Sequence, residues 1–174
     1  MVRNSKKSKV TLFKKLKPIR NANMNIIHYH TKCIILWAFI LHTIWEFGQC
    51  LFLYDMWDWP FWEATLWMWG AIFGDILIVL ALWKVATTLV PSARFESPEF
   101  KGYLMLLTLS FVASFCLEWV ALYLNLWQYT PAMPFIILFG HEVGLSPVLQ
   151  ITFLPAASVW LANRFNNQQR SLSG

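Results

Sequence analysis

Apolar residues are concentrated in four stretches of the chain, and each stretch is long enough to cross a bilayer. The stretches run roughly from Cys33 to Tyr54, Trp62 to Trp83, Gly102 to Asn125 and Val143 to Ala162. About 20 apolar residues, at a rise of about 1.5 Å per residue, cross the ~30 Å hydrocarbon layer as one α-helix. The pattern therefore predicts an all-α membrane protein, built as a four-helix up-down transmembrane bundle.

The apolar region around the fourth stretch is interrupted by prolines. "PAMPFIILFG", residues 131–140, is too short to span a membrane and begins with two of these prolines. We expect it to form a short re-entrant or interfacial segment before the last span. Pro155 lies inside the last span, where it removes a backbone donor and is expected to kink the helix.

Basic residues fall on one side of the predicted spans. Nine of the fourteen lysines and arginines precede the first span, three lie between the second and third, and two follow the fourth. The connections 55–61 and 126–142 contain none. By the positive-inside rule, both termini are cytoplasmic. The predicted organisation is a basic cytoplasmic tail (1–32), a single transmembrane domain (33–163) and a short cytoplasmic tail (164–174).

Composition agrees with a membrane protein and narrows the partners. The chain is 57% hydrophobic and 13% charged, so a soluble domain of this size could not bury its apolar surface. The formal net charge of +5 comes from the first tail, which contains no acid. A basic segment beside a membrane span is typical of contact with anionic lipid headgroups. We therefore expect membrane lipids as partners, and no nucleic acid.

Polar residues inside the predicted spans are the strongest signal of a site. Such residues are costly in lipid and usually face a bundle interior or a cavity. The spans contain no lysine or arginine, so the acids must be protonated, share protons, pair with histidine or bind a cation. Helical spacing places the three polar residues of the first span on one face. The set is His42, Glu46 and Gln49 in the first span, Asp75 in the second, Glu118 in the third and Gln150 in the fourth.

Purely structural interpretations compete with a site. His42 can serve as an internal hydrogen-bonding residue, the acids as neutral hydrogen-bonded carboxyls, and the two glutamines as contacts between helices. Gly70 and Gly74, at i and i+4, are expected to let a neighbouring helix approach closely. The three cysteines contain no CxxC pair and are expected to be small buried hydrophobic residues.

Aromatic residues crowd the predicted non-cytoplasmic ends of the spans. They form either an interfacial belt or the wall of a pocket for an apolar ligand. Trp127 and Tyr129 precede the proline-rich segment and are candidates for either role. The tryptophans near the first connection are Trp57, Trp59, Trp62, Trp67 and Trp69.

His141 and Glu142 are adjacent at the predicted start of the fourth span. An acid near a helix N-terminus is favoured by the helix dipole, so capping is one interpretation. A metal-binding pair is the other.

Several motifs in this order resemble those of a family of small, uncharacterised bacterial four-span integral membrane proteins. They are "WEFGQC", "GD" in the second span, "EWVAL" with "LWQYTPAMP", and "GLSPVLQ". The resemblance covers nearly all of the chain after the basic tail. It implies a four-span unit in the bacterial inner (cytoplasmic) membrane, and it implies no activity.

Three functional hypotheses follow. The first is an intramembrane pocket that handles a small apolar molecule, a lipid or an ion by acid/base chemistry. Its catalytic residues would be Glu46, Asp75, Glu118 and His42, and its ligand-binding residues would be Gln49, Trp127, Tyr129 and Gln150.

The second hypothesis is a transition-metal site drawn from His42, Glu46, His141 and Glu142, although the Glu-x-x-His pairs typical of metal-binding bundles are absent. The third is an assembly subunit whose acids pair with a membrane-protein partner. The sequence identifies no cofactor.

Overall fold

A computed structural model describes residues 29–54, 56, 58–90 and 100–172. Within these residues lie four helices that are long and apolar enough to cross a membrane, which confirms that part of the prediction. The predicted basic tail up to residue 28 lies outside the described residues, as do Trp57 and Arg94. The helices are α1 (Tyr29–Phe52), α2 (Phe61–Leu89), α3 (Phe100–Tyr123) and α4 (Leu145–Leu172).

The helices at the two ends of the chain extend beyond the apolar stretches. Helix α1 begins at Tyr29 rather than Cys33, and α4 continues past Ala162 to Leu172. The extra turns contain buried polar residues, among them His30 and Asn163. These side chains bond to each other across the two helices, so the helices need no apolar sequence there.

Helix α3 ends in a polar turn. Asn125 has a left-handed backbone with φ of 52°, and the backbone N–H of Leu126 donates to the carbonyl of Ala121 at 3.0 Å. Asparagine tolerates this conformation better than most residues, and the bond satisfies a carbonyl that the helix end would leave unpaired.

The apolar segment before the last helix forms a β-hairpin. Strands β1 (Phe135–Leu138) and β2 (His141–Gly144) are antiparallel, and Phe139 and Gly140 form the turn between them. Both turn residues have positive φ, of 51° and 82°, which is the pattern of a type I′ turn. The position of this hairpin at the membrane surface or within it stays a prediction.

The connections after α1 and α3 lie against each other. Tyr54 forms an isolated β-bridge with Tyr129, and the backbone N–H of Thr130 donates to the carbonyl of Leu53 at 3.0 Å. The Tyr129 ring also presses on Gly144, where an added Cβ would lie 2.9 Å from ring atoms. Glycine is required at 144 because any side chain there would displace the ring.

Helix α4 is the centre of the packing. It contacts α2 and α3 directly and bonds to α1 through polar side chains. In its most apolar stretch 61% of the residues are buried, against 28% or less in each of the other helices. Pro155 is fully buried inside α4, and the helix continues through it. The side chains that position the site therefore converge on α4.

Candidate functional site

The side chain of Gln150 lies at the centre of a hydrogen-bond network that joins three helices. Its Nε2 donates to Oε1 of Glu46 at 2.7 Å and to Oδ2 of Asp75 at 2.6 Å. Its Oε1 accepts from Nε2 of Gln49 at 2.9 Å. We call His42, Glu46, Gln49, Asp75 and Gln150 the acid network.

Gln49 fixes the orientation of the two amides. Its Nε2 donates to Oε1 of Glu46 at 2.8 Å as well as to Gln150, which uses both amide hydrogens. Its Oε1 accepts from Oγ of Ser146 at 2.9 Å and from Nε1 of Trp45 at 3.2 Å. Turning either amide over would place oxygen against oxygen. The donor and the acceptor of each hydrogen bond made by these two amides are therefore defined.

His42 is a buried hydrogen-bond partner of Asp75. Its Nδ1 lies 2.9 Å from Oδ2 of Asp75 and 3.2 Å from Nε2 of Gln150. Both hydrogens of the Gln150 amide point to carboxyl oxygens, so the imidazole N–H at Nδ1 donates to Asp75. The His42 side chain is fully buried, and its Nε2 has no hydrogen-bond partner among the described residues.

Each of the two network acids keeps one oxygen outside the amide bonds. Oε1 of Glu46 and Oδ2 of Asp75 each accept two N–H groups. Among the described contacts, Oε2 of Glu46 has only the weak thiol donor of Cys50, at 3.6 Å. A proton on either acid would therefore sit on the second oxygen, Oε2 of Glu46 or Oδ1 of Asp75.

A cavity of about 640 Å³ lies beside the acid network. All four helices and the connections after α1 and α3 contribute to its wall. Most of the lining is aliphatic or aromatic. The wall includes five of the polar residues predicted from the sequence, which are Glu46, Gln49, Asp75, Glu118 and Gln150.

Glu118 stands apart from the acid network on the α3 side of the cavity. Its side chain is 3% exposed, and its Oε1 has no hydrogen-bond partner among the described residues. The carboxyl also lies near the indole of Trp127 and the backbone of Gly144. The cavity wall thus has two acids that accept hydrogen bonds from amides, and a third acid with an unsatisfied oxygen.

Gly70 and Gly74 face the cavity instead of a neighbouring helix. Both line it, and a Cβ added at either position would meet no atom within 4 Å. The expectation of close helix packing at these glycines is therefore wrong, because empty space lies where the neighbouring helix was expected.

The predicted aromatic residues divide between the cavity and other contacts. Trp59, Trp67 and Trp127 line the cavity. Tyr129 does not, since its ring packs on Gly144 and on Tyr54, 5.7 Å away between ring centroids.

Two further tryptophans lie outside the cavity wall. Trp62 is 64% exposed, and Trp69 stacks on Phe39 at 6.1 Å. A single aromatic belt therefore does not describe the whole set.

His141 and Glu142 belong to the hairpin, and both are exposed. Helix α4 has no acid in its first turn, so the capping interpretation of Glu142 is wrong. The described residues contain no group of three or more histidine, cysteine, aspartate or glutamate side chains arranged to hold a metal ion. The structure therefore does not assemble His42, Glu46, His141 and Glu142 into such a group.

The cysteines differ in burial. Cys33 is buried, Cys50 is half-buried beside Glu46, and Cys116 is exposed. The expectation of small buried residues is wrong for Cys116, which faces outward from α3.

A second polar cluster was not predicted. His30 bonds to Oδ1 of Asn163, and Nδ2 of Asn163 donates to the hydroxyl of Tyr103 at 3.1 Å. The thiol of Cys33 donates to Oδ1 of Asn166 at 3.3 Å. We call these five residues the asparagine cluster. The spacing of Asn163 and Asn166 at i and i+3 was the available signal, but both lie past the end of the apolar stretch.

Comparison with known proteins adds no family. No protein-family model matches the chain, and no curated protein or solved structure matches it. The resemblance to small bacterial four-span proteins therefore rests on the sequence motifs alone.

Proposed function

We propose that the chain is a multi-pass protein of the bacterial inner membrane, arranged as an up-down bundle with both termini cytoplasmic. Two contacts between α1 and α4 support the arrangement: His30 bonds to Asn163, whereas Gln49 bonds to Ser146. Early residues of one helix thus meet late residues of the other, as in antiparallel neighbours. The distribution of basic residues supports the orientation.

Reporter fusions test this topology. A reporter that is active only outside the cytoplasm should be silent after Arg164 and active when inserted at Asp58. The reverse pair of results would overturn the orientation, and equal activity at both sites would overturn the odd number of spans, three, between them.

We propose that the cavity binds a small apolar or amphiphilic molecule, such as a lipid. The observation that carries this proposal is a cavity of about 640 Å³ with three carboxyl groups on an otherwise largely apolar wall. Ligand pockets in proteins have volumes of roughly 300–1,000 Å³ and combine apolar walls with a few convergent polar groups. A ligand would place its chain along the apolar wall and its polar group at the acids.

The ligand reaches the cavity from the bilayer in this proposal. Lining residues on α1 and α4 such as Glu46 and Gln150 are buried, whereas several on α2 and α3 are exposed. Leu66 and Val120 are among these, at 64% and 55%. The gap between α2 and α3 is therefore the side on which the cavity meets the surroundings.

The acids next to the ligand suit acid/base chemistry. Asp75 lines the cavity and also bonds to buried His42, so one carboxyl connects the imidazole to the bound molecule. Glu46 has a second oxygen outside the amide bonds. Carboxyl and imidazole groups within hydrogen-bonding reach of a substrate serve as general acids and bases. We propose proton transfer by Asp75 and Glu46 as the chemistry of this site.

Filling the cavity tests the binding proposal. Gly74→Leu places a side chain in open space, so we expect the fold to persist and co-purifying lipid to be lost. Gly48→Leu is the matched control, because Gly48 is also open within 4 Å and does not line the cavity. Mass spectrometry of lipid extracts from the purified proteins gives the readout.

Two outcomes would contradict the proposal. Equal lipid content in wild type, Gly74→Leu and Gly48→Leu would show that the cavity holds no ligand. A membrane protein that co-purifies with wild type and is lost with Gly74→Leu would favour the assembly-subunit hypothesis, with the cavity as its docking site.

A further inference from the structure

The head group of the ligand can be specified from the charge of the cavity wall. Among the residues that the structure describes, the wall carries three carboxyl groups and no lysine, arginine or histidine. Asp75 is paired with His42. Among the described hydrogen bonds and ion pairs, neither Glu46 nor Glu118 has a basic partner. A phosphate or carboxylate head group would meet three acids with no cation to offset them. A head group with positive charge would offset them directly.

The hydrogen-bonding atoms of the wall also favour a head group with positive charge. The amide hydrogens of Gln49 and Gln150 are all used inside the acid network. Among the amides and ionised carboxyl groups of the wall, the remaining capacity is on acceptors, which are the second oxygens of Glu46 and Asp75 and Oε1 of Glu118. Glu118 is an independent sign of a ligand, because its unsatisfied oxygen belongs to a side chain that is 3% exposed and lines the cavity. A buried acceptor without a donor is costly, and a ligand donor would remove that cost.

The aromatic part of the wall favours a cation as well. Trp59, Trp67 and Trp127 line the cavity, and Trp59 and Trp67 pack edge to face at 6.3 Å between ring centroids. Indole faces attract ammonium groups through the ring quadrupole, and the attraction is stronger where water is excluded. The Trp127 indole also lies near the Glu118 carboxyl, so an aromatic ring and a carboxyl with an unsatisfied oxygen occur together.

We propose that the cavity selects an amphiphile with a protonated amine head group, whose N–H donors reach Glu118 and the free oxygens of Glu46 and Asp75. The inference rests on the proposed function, since it names the class of ligand that the cavity takes. The alkyl chain lies along the apolar wall and extends toward the gap between α2 and α3. Fatty acids and anionic phospholipids are excluded by the same groups that hold the amine.

A matched series of ligands tests the head group. Purified full-length protein in a non-ionic detergent is titrated with dodecylamine, dodecanol and dodecanoate, which share one chain length, and tryptophan fluorescence is followed. Dodecylamine should bind roughly tenfold more tightly than dodecanol, which corresponds to about one added charge-assisted hydrogen bond. Dodecanoate should give no saturable change.

A single substitution tests whether Glu118 binds the amine. Glu118→Gln should bring dodecylamine binding down to the level of dodecanol and leave dodecanol unchanged. Glu142→Gln, the same substitution at an exposed hairpin position, should change neither. If Glu118→Gln fails to fold, the wild-type ligand series still decides the head-group preference.

The outcomes separate this inference from the proposed function. Dodecanol or dodecanoate binding at least as tightly as dodecylamine, with loss in Gly74→Leu, would overturn the amine head group and keep the cavity as a ligand site. An amine preference that survives Glu118→Gln would overturn the assigned acceptor. Binding of none of the three, or binding equal in Gly74→Leu and wild type, would overturn both proposals for these ligands.

Discussion

The acid network and the asparagine cluster solve the same packing problem with different chemistry. Each is mostly buried, each includes a histidine from α1, and each bonds α1 to α4. The acid network contains two carboxyl groups and borders a cavity of about 640 Å³. The asparagine cluster has no acid among its five residues, and the cavity beside Tyr103 is about 10 Å³. That space is about the size of a single water molecule.

This difference indicates what the acids are for. Amides, an imidazole, a phenol and a thiol are sufficient to join α1 to α4 at the asparagine cluster. Carboxyl groups are more costly to bury than amides, and here they occur where the helices leave space between them. Packing alone therefore does not explain Glu46 and Asp75. Their position at a cavity supports a role in contacting a ligand.

Gln150→Leu should give the largest loss of stability. It removes three hydrogen bonds from the acid network at once, to Glu46, Asp75 and Gln49. At about 1 kcal/mol for each bond, we expect the free energy of unfolding to fall by roughly 3 kcal/mol. Detergent unfolding curves give the value, and Gln168→Leu at an exposed position of α4 is the control. A loss no greater than that of the control would show that the network does not hold α4 to α1 and α2.

Substitutions of Glu46 should separate stability from function. Glu46→Leu strands the donors of Gln49 and Gln150 and should cost about 2 kcal/mol. Glu46→Gln keeps an acceptor oxygen for both donors, so the melting temperature should stay close to that of wild type. The amide cannot exchange a proton or carry charge, so ligand occupancy and any associated phenotype should be lost. Full occupancy in Glu46→Gln would make Glu46 a structural residue and leave Asp75 and Glu118 as the site.

Asn163→Leu should affect the asparagine cluster and leave the acid network unchanged. It removes the bonds to His30 and Tyr103 and should reduce the free energy of unfolding by about 2 kcal/mol, at about 1 kcal/mol for each bond. Ligand binding should stay at the wild-type level, because Asn163 does not line the large cavity. Loss of ligand in a folded Asn163→Leu protein would show that the two polar clusters are coupled.

Deleting residues 1–25 should have the smallest effect. Basic residues near a membrane surface contribute attraction to anionic lipid of about 1 kcal/mol each at best, and the segment has few apolar side chains to bury. We expect an unchanged melting temperature in detergent. A large decrease would place the tail against the bundle and would require a third polar contact region beside the two described.

The helices could be predicted because their signal is local. A run of apolar residues long enough to cross a bilayer is visible without knowledge of any contact, and the same holds for the polar face of His42, Glu46 and Gln49. The start of α1 at Tyr29 could not be predicted from hydropathy. His30 is accommodated by its partner Asn163, which lies 133 residues away in the sequence. The hairpin was missed because "FIIL" is as apolar as a helical turn.

The residues of the site could be predicted, but their hydrogen bonds and relative positions could not. One polar residue per span indicated an interior location for Asp75, Glu118 and Gln150. Nothing in the sequence indicated that Gln150 would donate to both Glu46 and Asp75, or that Glu118 would stand apart. Gly70 and Gly74 show the limit, because small residues permit close packing and permit empty space equally well.

The central position of Gln150 has a consequence for the order in which the chain is made. Gln150 follows Glu46 by 104 residues and Asp75 by 75 residues. At roughly 5–20 residues per second, the ribosome takes on the order of 5–20 seconds to add the residues between Glu46 and Gln150. Throughout that interval, the helices carrying the two acids lack the amide donor that later joins them. Until the last helix is made, Gln49 is therefore the amide donor available to Glu46, and His42 is the partner available to Asp75.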